Sequence, residues 1–159
     1  MKTALCALLL AAGLPLSARA DRLPLPADAP PAYAAECGSC HLAFPPALLA
    51  AADWRRVMAG LDRHYGDNAA LDADTARVIG DFLARHGGNA DRYANAGTPP
   101  RLTATAWFQR KHRKVPSPLW QDARVRSAAN CSACHPQAEQ GRYGERDIAL
   151  PELRHRREH

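Results

Sequence analysis

The sequence predicts an all-α chain of short helices joined by long loops, and three observations lead there. No stretch alternates apolar and polar residues as a half-buried strand does. Apolar residues recur at helical spacing in separate stretches. Thirteen prolines and ten glycines punctuate the 159 residues and keep those stretches short. With three phenylalanines and few isoleucines, such a chain has a thin core of its own.

Residues 1–20 read as a secretory signal. Lys2 gives a basic start, Ala4 to Leu16 an apolar run, and Ala18-Arg19-Ala20 the small residues before cleavage ahead of Asp21. The run is shorter than the about 18–20 residues that a membrane span needs. Residues 21–159 are therefore expected to form one soluble, exported domain, periplasmic in location. Cys6 leaves with the signal. So do Lys2 and Arg19, which takes the formal charge from +5 to +3.

Residues 21–35 are proline-rich and are expected to be an extended arm. Pro45-Pro46 can open a helix. Leu49, Trp54, Val57, Met58, Leu61 and Tyr65 carry its apolar spacing from Ala47 to about His64, and Gly66-Asp67-Asn68 breaks it. A second helix is expected from Asp72 or Asp74, both acidic capping residues, through Val78, Ile79, Phe82 and Leu83 to Gly87-Gly88. A looser stretch with Pro99-Pro100 follows. A third short helix runs from about Thr103 through Trp107 and Phe108 to His112, where Pro116 and Pro118 stop the chain. A further helix is expected from about Leu119, and the tail after Pro136 as loop.

Four cysteines remain, and an exported chain would ordinarily pair them as disulfides. Here each pair has the same spacer and is followed at once by histidine: Cys37-Gly-Ser-Cys40-His41 and Cys131-Ser-Ala-Cys134-His135. That is the pattern of c-type haem attachment. Two thiols at this spacing add to the two vinyl groups on one edge of a porphyrin, and the next imidazole becomes the proximal iron ligand. A four-cysteine zinc site usually separates its pairs by about 12–20 residues, whereas about 90 intervene here. A thioredoxin-like redox motif needs a βαβ setting that is absent. Two haems would give the helices apolar faces to bury against. The expected architecture is thus short helices and long loops wrapped around two covalently bound c-type haems. Their four propionates bring the formal charge from +3 to about −1, so basicity says little about nucleic acid. The runs Arg110–Lys114 and Arg154–Arg157 read as solvated or frayed segments; docking of an acidic redox partner is the sharper alternative.

The remaining axial position decides what each haem does, since an open iron binds small ligands and a filled one transfers electrons. Met58 is the sole methionine after cleavage, which rules out two methionine-ligated haems. His64 ends the first helix, and His112 shares an edge with Phe108. Both can fill a sixth position. His86 reads as a helix C-terminal charge, Met58 as core, and His155 and His159 as tail residues. Neither chain order nor helix phase assigns His64 or His112 to a particular haem.

These residues resemble the dihaem cytochrome c family. The likeness is carried by Glu36-Cys-Gly-Ser-Cys-His-Leu-Ala-Phe-Pro-Pro46, by Trp54, by Met58-Ala-Gly-Leu61 and by His64-Tyr-Gly-Asp-Asn-Ala-Ala-Leu-Asp72. Trp107-Phe-Gln-Arg-Lys-His112, Asn130-Cys-Ser-Ala-Cys-His135 and Ile148-Ala-Leu-Pro151 continue it. The resemblance implies a periplasmic electron carrier, not an enzyme, with two low-potential bis-histidine haems and His64 and His112 as distal ligands. It also implies partners: a membrane b-type cytochrome and a small oxygen-binding monohaem c-type cytochrome. The competing reading is a dihaem peroxidase, or a gas-reactive or gas-sensing cytochrome, with one open iron.

Overall fold

The computed structural model describes residues 22–150. The signal with its cleavage point, and the tail from Pro151 with His155 and His159, lie outside that range. Among the described residues the architecture is helical throughout: α1 (Pro31–Cys37), α2 (Ala51–Met58), α3 (Ala73–His86), α4 (Ala90–Tyr93) and α5 (Ala106–His112), joined by 3₁₀ turns and loops. No helix there is long and apolar enough to cross a membrane.

The arm is shorter than expected. Pro31 sits in the first turn of α1, where its fixed φ suits a helix and its missing N–H costs nothing. α1 ends on Cys37, so the first Cys-x-x-Cys segment starts from a helix end. Gly38 follows without side-chain room, since a Cβ there would stand 2.3 Å from the Ala34 carbonyl oxygen.

The helix expected over 47–64 is three pieces. Pro46–Leu48 is a 3₁₀ turn, α2 spans Ala51–Met58, and Leu61–Arg63 is another 3₁₀ turn. The first break has a tertiary cause. Leu49 and Ala50 turn their backbone outward to the 88–93 segment, Gly88 N donating to Leu49 O at 2.9 Å and Ala50 N to Tyr93 O at 3.2 Å. The second break is Gly60, at φ −125°.

α3 follows the sequence closely. The Asp72 carboxylate accepts from the backbone N–H groups of Asp74 and Thr75, satisfying donors that a helix start leaves open. At the other end, Gly87 lets α3 close on α2: a Cβ there would lie 2.7 Å from Ala51 Cα. α2 and α3 pack around Tyr33, Leu49, Trp54, Val57, Ile79, Phe82 and Leu83, with Met58 against the edge. Phe82 is 0% exposed, and burying such a ring contributes about 2–3 kcal/mol. Val78, expected on this stripe, faces solvent instead.

The second part is built differently. Thr105 caps α5 by accepting from Phe108 N, and the helix stops at His112. The helix expected from Leu119 is a 3₁₀ turn, Ser117–Gln121, which ends where Asp122 turns extended at ψ 137°. Its buried cluster is small: Leu119, Val125 and Leu150. α2 is tied to the chain that leads into the second part through buried Asp53, whose carboxylate accepts from Arg56 at 2.8 Å and from Asn95 N at 2.7 Å. Arg56 also donates to the carbonyls of Asn95 and Gly97.

Candidate functional site

The structure brings four of the sequence-derived histidines together in two pairs. His41 faces His64, with ring centroids 6.2 Å apart and planes 23° apart. His135 faces His112 at 6.3 Å and 86°. Two imidazoles bound to one metal from opposite sides sit through nitrogens about 2 Å from it. Adding about 1.2 Å from nitrogen to ring centre on each side gives roughly 6.4 Å between centroids. Both pairs fit that span, and each proximal candidate has one of the two other candidate rings beside it.

Each ring is positioned by its local backbone. His41 lies just past the end of α1, its Nδ1–H donating to Leu42 O at 2.7 Å while its ring stacks on Phe44 at 4.8 Å. His112 lies at the end of α5, where its Nδ1–H donates to Phe108 O at 2.9 Å and its ring stacks on Phe108 at 4.0 Å. A carbonyl can only accept, so in both rings Nε2 is the nitrogen left to bind a metal. His64 is presented by a tight turn in which Asp67 N donates to His64 O at 3.0 Å. The turn's central residues, Tyr65 and Gly66, have φ of 54° and 116°. For tyrosine that left-handed conformation costs on the order of 1 kcal/mol. It is held by the Tyr65 hydroxyl donating to Pro100 O and by Arg101 stacked over the ring at 4.6 Å. His135 follows the second cysteine pair, with Tyr143 edge-on at 5.4 Å.

Burial favours the neutral form of the two partner rings. Desolvation lowers the pKa of His64, and neighbouring His41 lowers it further. Desolvation also lowers that of His112, against the raising effect of the Phe108 carbonyl. A neutral imidazole is the form that ligates metal. Burial pushes the thiols the other way: Cys37 and Cys131 rise to about 11, and Cys134 rises too. None of the four cysteines is in a disulfide. Nor do the described residues gather three or more His, Cys, Asp or Glu side chains for a metal ion.

Between His112 and His135 lies a cavity of about 400 Å³ walled by Trp107, Phe108, Trp120, Cys131, Cys134 and Tyr143. An aromatic wall beside two thiols is what a covalently held porphyrin needs. The Tyr143 hydroxyl in this wall is buried without a hydrogen bond among the described residues. Burial raises its pKa well above the usual phenol value, so the hydroxyl keeps its proton. A second cavity, of about 430 Å³, opens beside Cys40 and His41, with Ser132 and Glu139 on its far wall. The two cysteine segments are thus neighbours in space.

The other candidates lie elsewhere. His86 pairs with Asp28 at 2.8 Å, and Met58 belongs to the first core. Sequence reasoning missed Tyr65, Phe44 and Tyr143. Tyr65 was detectable as the aromatic neighbour of a ligand candidate, but Tyr143 has no local signal.

Comparison with known proteins agrees with this geometry. The profile of the family described as dihaem cytochrome c matches residues 33–143. The solved structure of a new dihaem cytochrome c from Shewanella baltica OS155 is 38% identical with a TM-score of 0.67, over 76% of this chain and 92% of that one. A dihaem cytochrome c from Rhodobacter sphaeroides is 34% identical with a TM-score of 0.63, over 73% and 98%. No curated protein gives a match.

Proposed function

Because this chain belongs to the dihaem cytochrome c family and so carries two covalent c-type haems, we propose that it is an exported electron-transfer protein whose haem irons each sit between two histidines. Cys37 and Cys40 would hold the first haem, with His41 as proximal and His64 as distal ligand. Cys131 and Cys134 would hold the second, with His135 proximal and His112 distal. The observation that carries this reading is the pair of 6.2 and 6.3 Å ring separations.

Each haem supplies a one-electron iron couple. The chain's residues do the rest. Leu42 and Phe108 carbonyls fix the tautomer and direction of His41 and His112, which limits movement when charge changes. Two imidazoles favour the ferric state more than a methionine–histidine pair does, so both potentials are expected to be low. With both sides of each site closed by a ring, the carrier reading is preferred to a peroxidase or gas sensor. Residues 1–20 are proposed as the cleaved export signal, leaving 21–159 as the mature dihaem domain in the periplasm. A membrane b-type cytochrome and a small oxygen-binding monohaem c-type cytochrome are the proposed partners, on the family resemblance.

Carbon monoxide tests the proposal. The reduced holoprotein is expected to keep its Soret band unchanged under the gas. A stoichiometric shift would mean a vacant or labile iron and would sink the pure-carrier reading.

A further inference from the structure

The two haem-binding parts carry opposite charge. Residues 22–96, which include Cys37, Cys40, His41 and His64, have seven Lys/Arg against nine Asp/Glu. Residues 97–150, which include His112, Cys131, Cys134 and His135, have nine against four. The balance is −2 against +5. Two identical prosthetic groups, one in each part, add equal charge to both, so the contrast survives their attachment.

The excess is concentrated at one place. Arg110, Lys111, Arg113 and Lys114 flank His112 and are all exposed. Lys111 and Lys114 line the mouth of the cavity between His112 and His135, where Glu145 is the sole carboxylate. The mouth beside His41 is lined by no Lys or Arg and by Glu139. Cations ringing one redox site focus the field there and draw in a partner of opposite sign.

We infer that the Arg110–Lys114 strip is the docking face for an acidic patch on a soluble redox protein, and that partners meet this chain at its second haem site. This rests on the electron-transfer reading above. A membrane surface would suit the charge too, but interfacial binding also needs apolar side chains to insert. The large hydrophobic residues exposed among those described are Tyr65 and Val78, both in the first part. Trp107 and Phe108 on α5 are turned inward to the cavity. Single-stranded nucleic acid would want exposed aromatic rings for stacking, which the strip does not offer.

The test uses the ferric dihaem holoprotein and the hydroquinone of an acidic flavodoxin. Each flavodoxin gives up one electron and becomes the semiquinone, as one ferric iron becomes ferrous. The second-order rate is expected to fall steeply with salt, and to drop at least tenfold in the double variant Lys111→Glu/Lys114→Glu. The control Arg77→Glu, an exposed reversal on α3, should leave it within twofold. Dithionite should reduce wild type and variants at equal final extent, with unchanged low-spin spectra. An equal rate in the double variant, or an equal loss in Arg77→Glu, overturns the docking face. Loss of binding to phosphatidylserine vesicles with the flavodoxin rate intact overturns it as well, in favour of a membrane contact. Holoprotein that dithionite reduces but flavodoxin does not, at any salt, would count against the carrier reading itself.

Discussion

The first haem-binding part has a protein core and the second has little of one. Around His41 and His64, α2 and α3 form a buried cluster of seven residues together with Tyr33 of α1 and Leu49, and the ligand loops hang from that scaffold. Around His112 and His135, the buried cluster is three residues, and Trp107, Phe108 and Trp120 wall a cavity. A haem held in the first part would sit beside an already packed pair of helices; one held in the second would supply apolar faces where few side chains are buried.

Removing the attachment points should separate the parts most sharply. Each double variant, Cys37→Ala/Cys40→Ala and Cys131→Ala/Cys134→Ala, is expected to lose one haem of two by absorbance. Only the second should lose hydrogen-exchange protection across residues 106–150. The first should keep protection at Ile79, Phe82 and Leu83. Equal unfolding in both variants would remove the asymmetry.

Core truncation comes next. Phe82→Ala is expected to cost about 3–5 kcal/mol in denaturant unfolding, with haem spectra retained. Val125→Ala, in the smaller cluster, should cost about 1–2 kcal/mol. Similar losses would mean that the two cores are equivalent.

A smaller effect reports on ligand placement. Thr105 is 0% exposed and caps the helix that ends on His112. Thr105→Ala should cost about 1 kcal/mol and broaden the spectrum of the second haem alone. A disturbance of the first haem instead would detach His112 from α5's cap.

The smallest concerns the surface pair that ties the arm to α3. His86 hydrogen-bonded to Asp28 holds that carboxyl below its usual 3.8, with Arg85 adding to it. A carboxyl lowered by folding stabilises the protein above its unfolded pKa, and the contribution fades as pH falls through the folded value. Asp28→Asn should therefore lower Tm slightly near neutral pH, and the gap should close below 3.8. A gap that widens in acid would reverse the sign of this contact.

Local signals carried α3 well. Asp72 before an apolar stripe and Gly87 after it mark both ends, and both act within one turn of chain. The 47–64 helix failed because Leu49 and Ala50 bond to a segment some forty residues on, which no local window contains. α4 follows an Asn89 cap that the surrounding prolines and glycines obscured. The haem pentapeptides were legible because their chemistry is local. The matching of His64 to His41 and His112 to His135 was not, since it depends on how α5 folds back toward residues 131–135. Tyr143 belongs to no motif and becomes visible only as a buried hydroxyl beside His135.

Electron paramagnetic resonance of the ferric holoprotein tests the central claim most directly. Ring planes 23° apart in one pair and 86° apart in the other should give two low-spin signals, one rhombic and one strongly anisotropic, with no high-spin signal. His64→Ala should convert the rhombic signal to high spin, and His112→Ala the anisotropic one. A high-spin signal in the wild type, or both low-spin signals surviving in either variant, would contradict the two-histidine assignment.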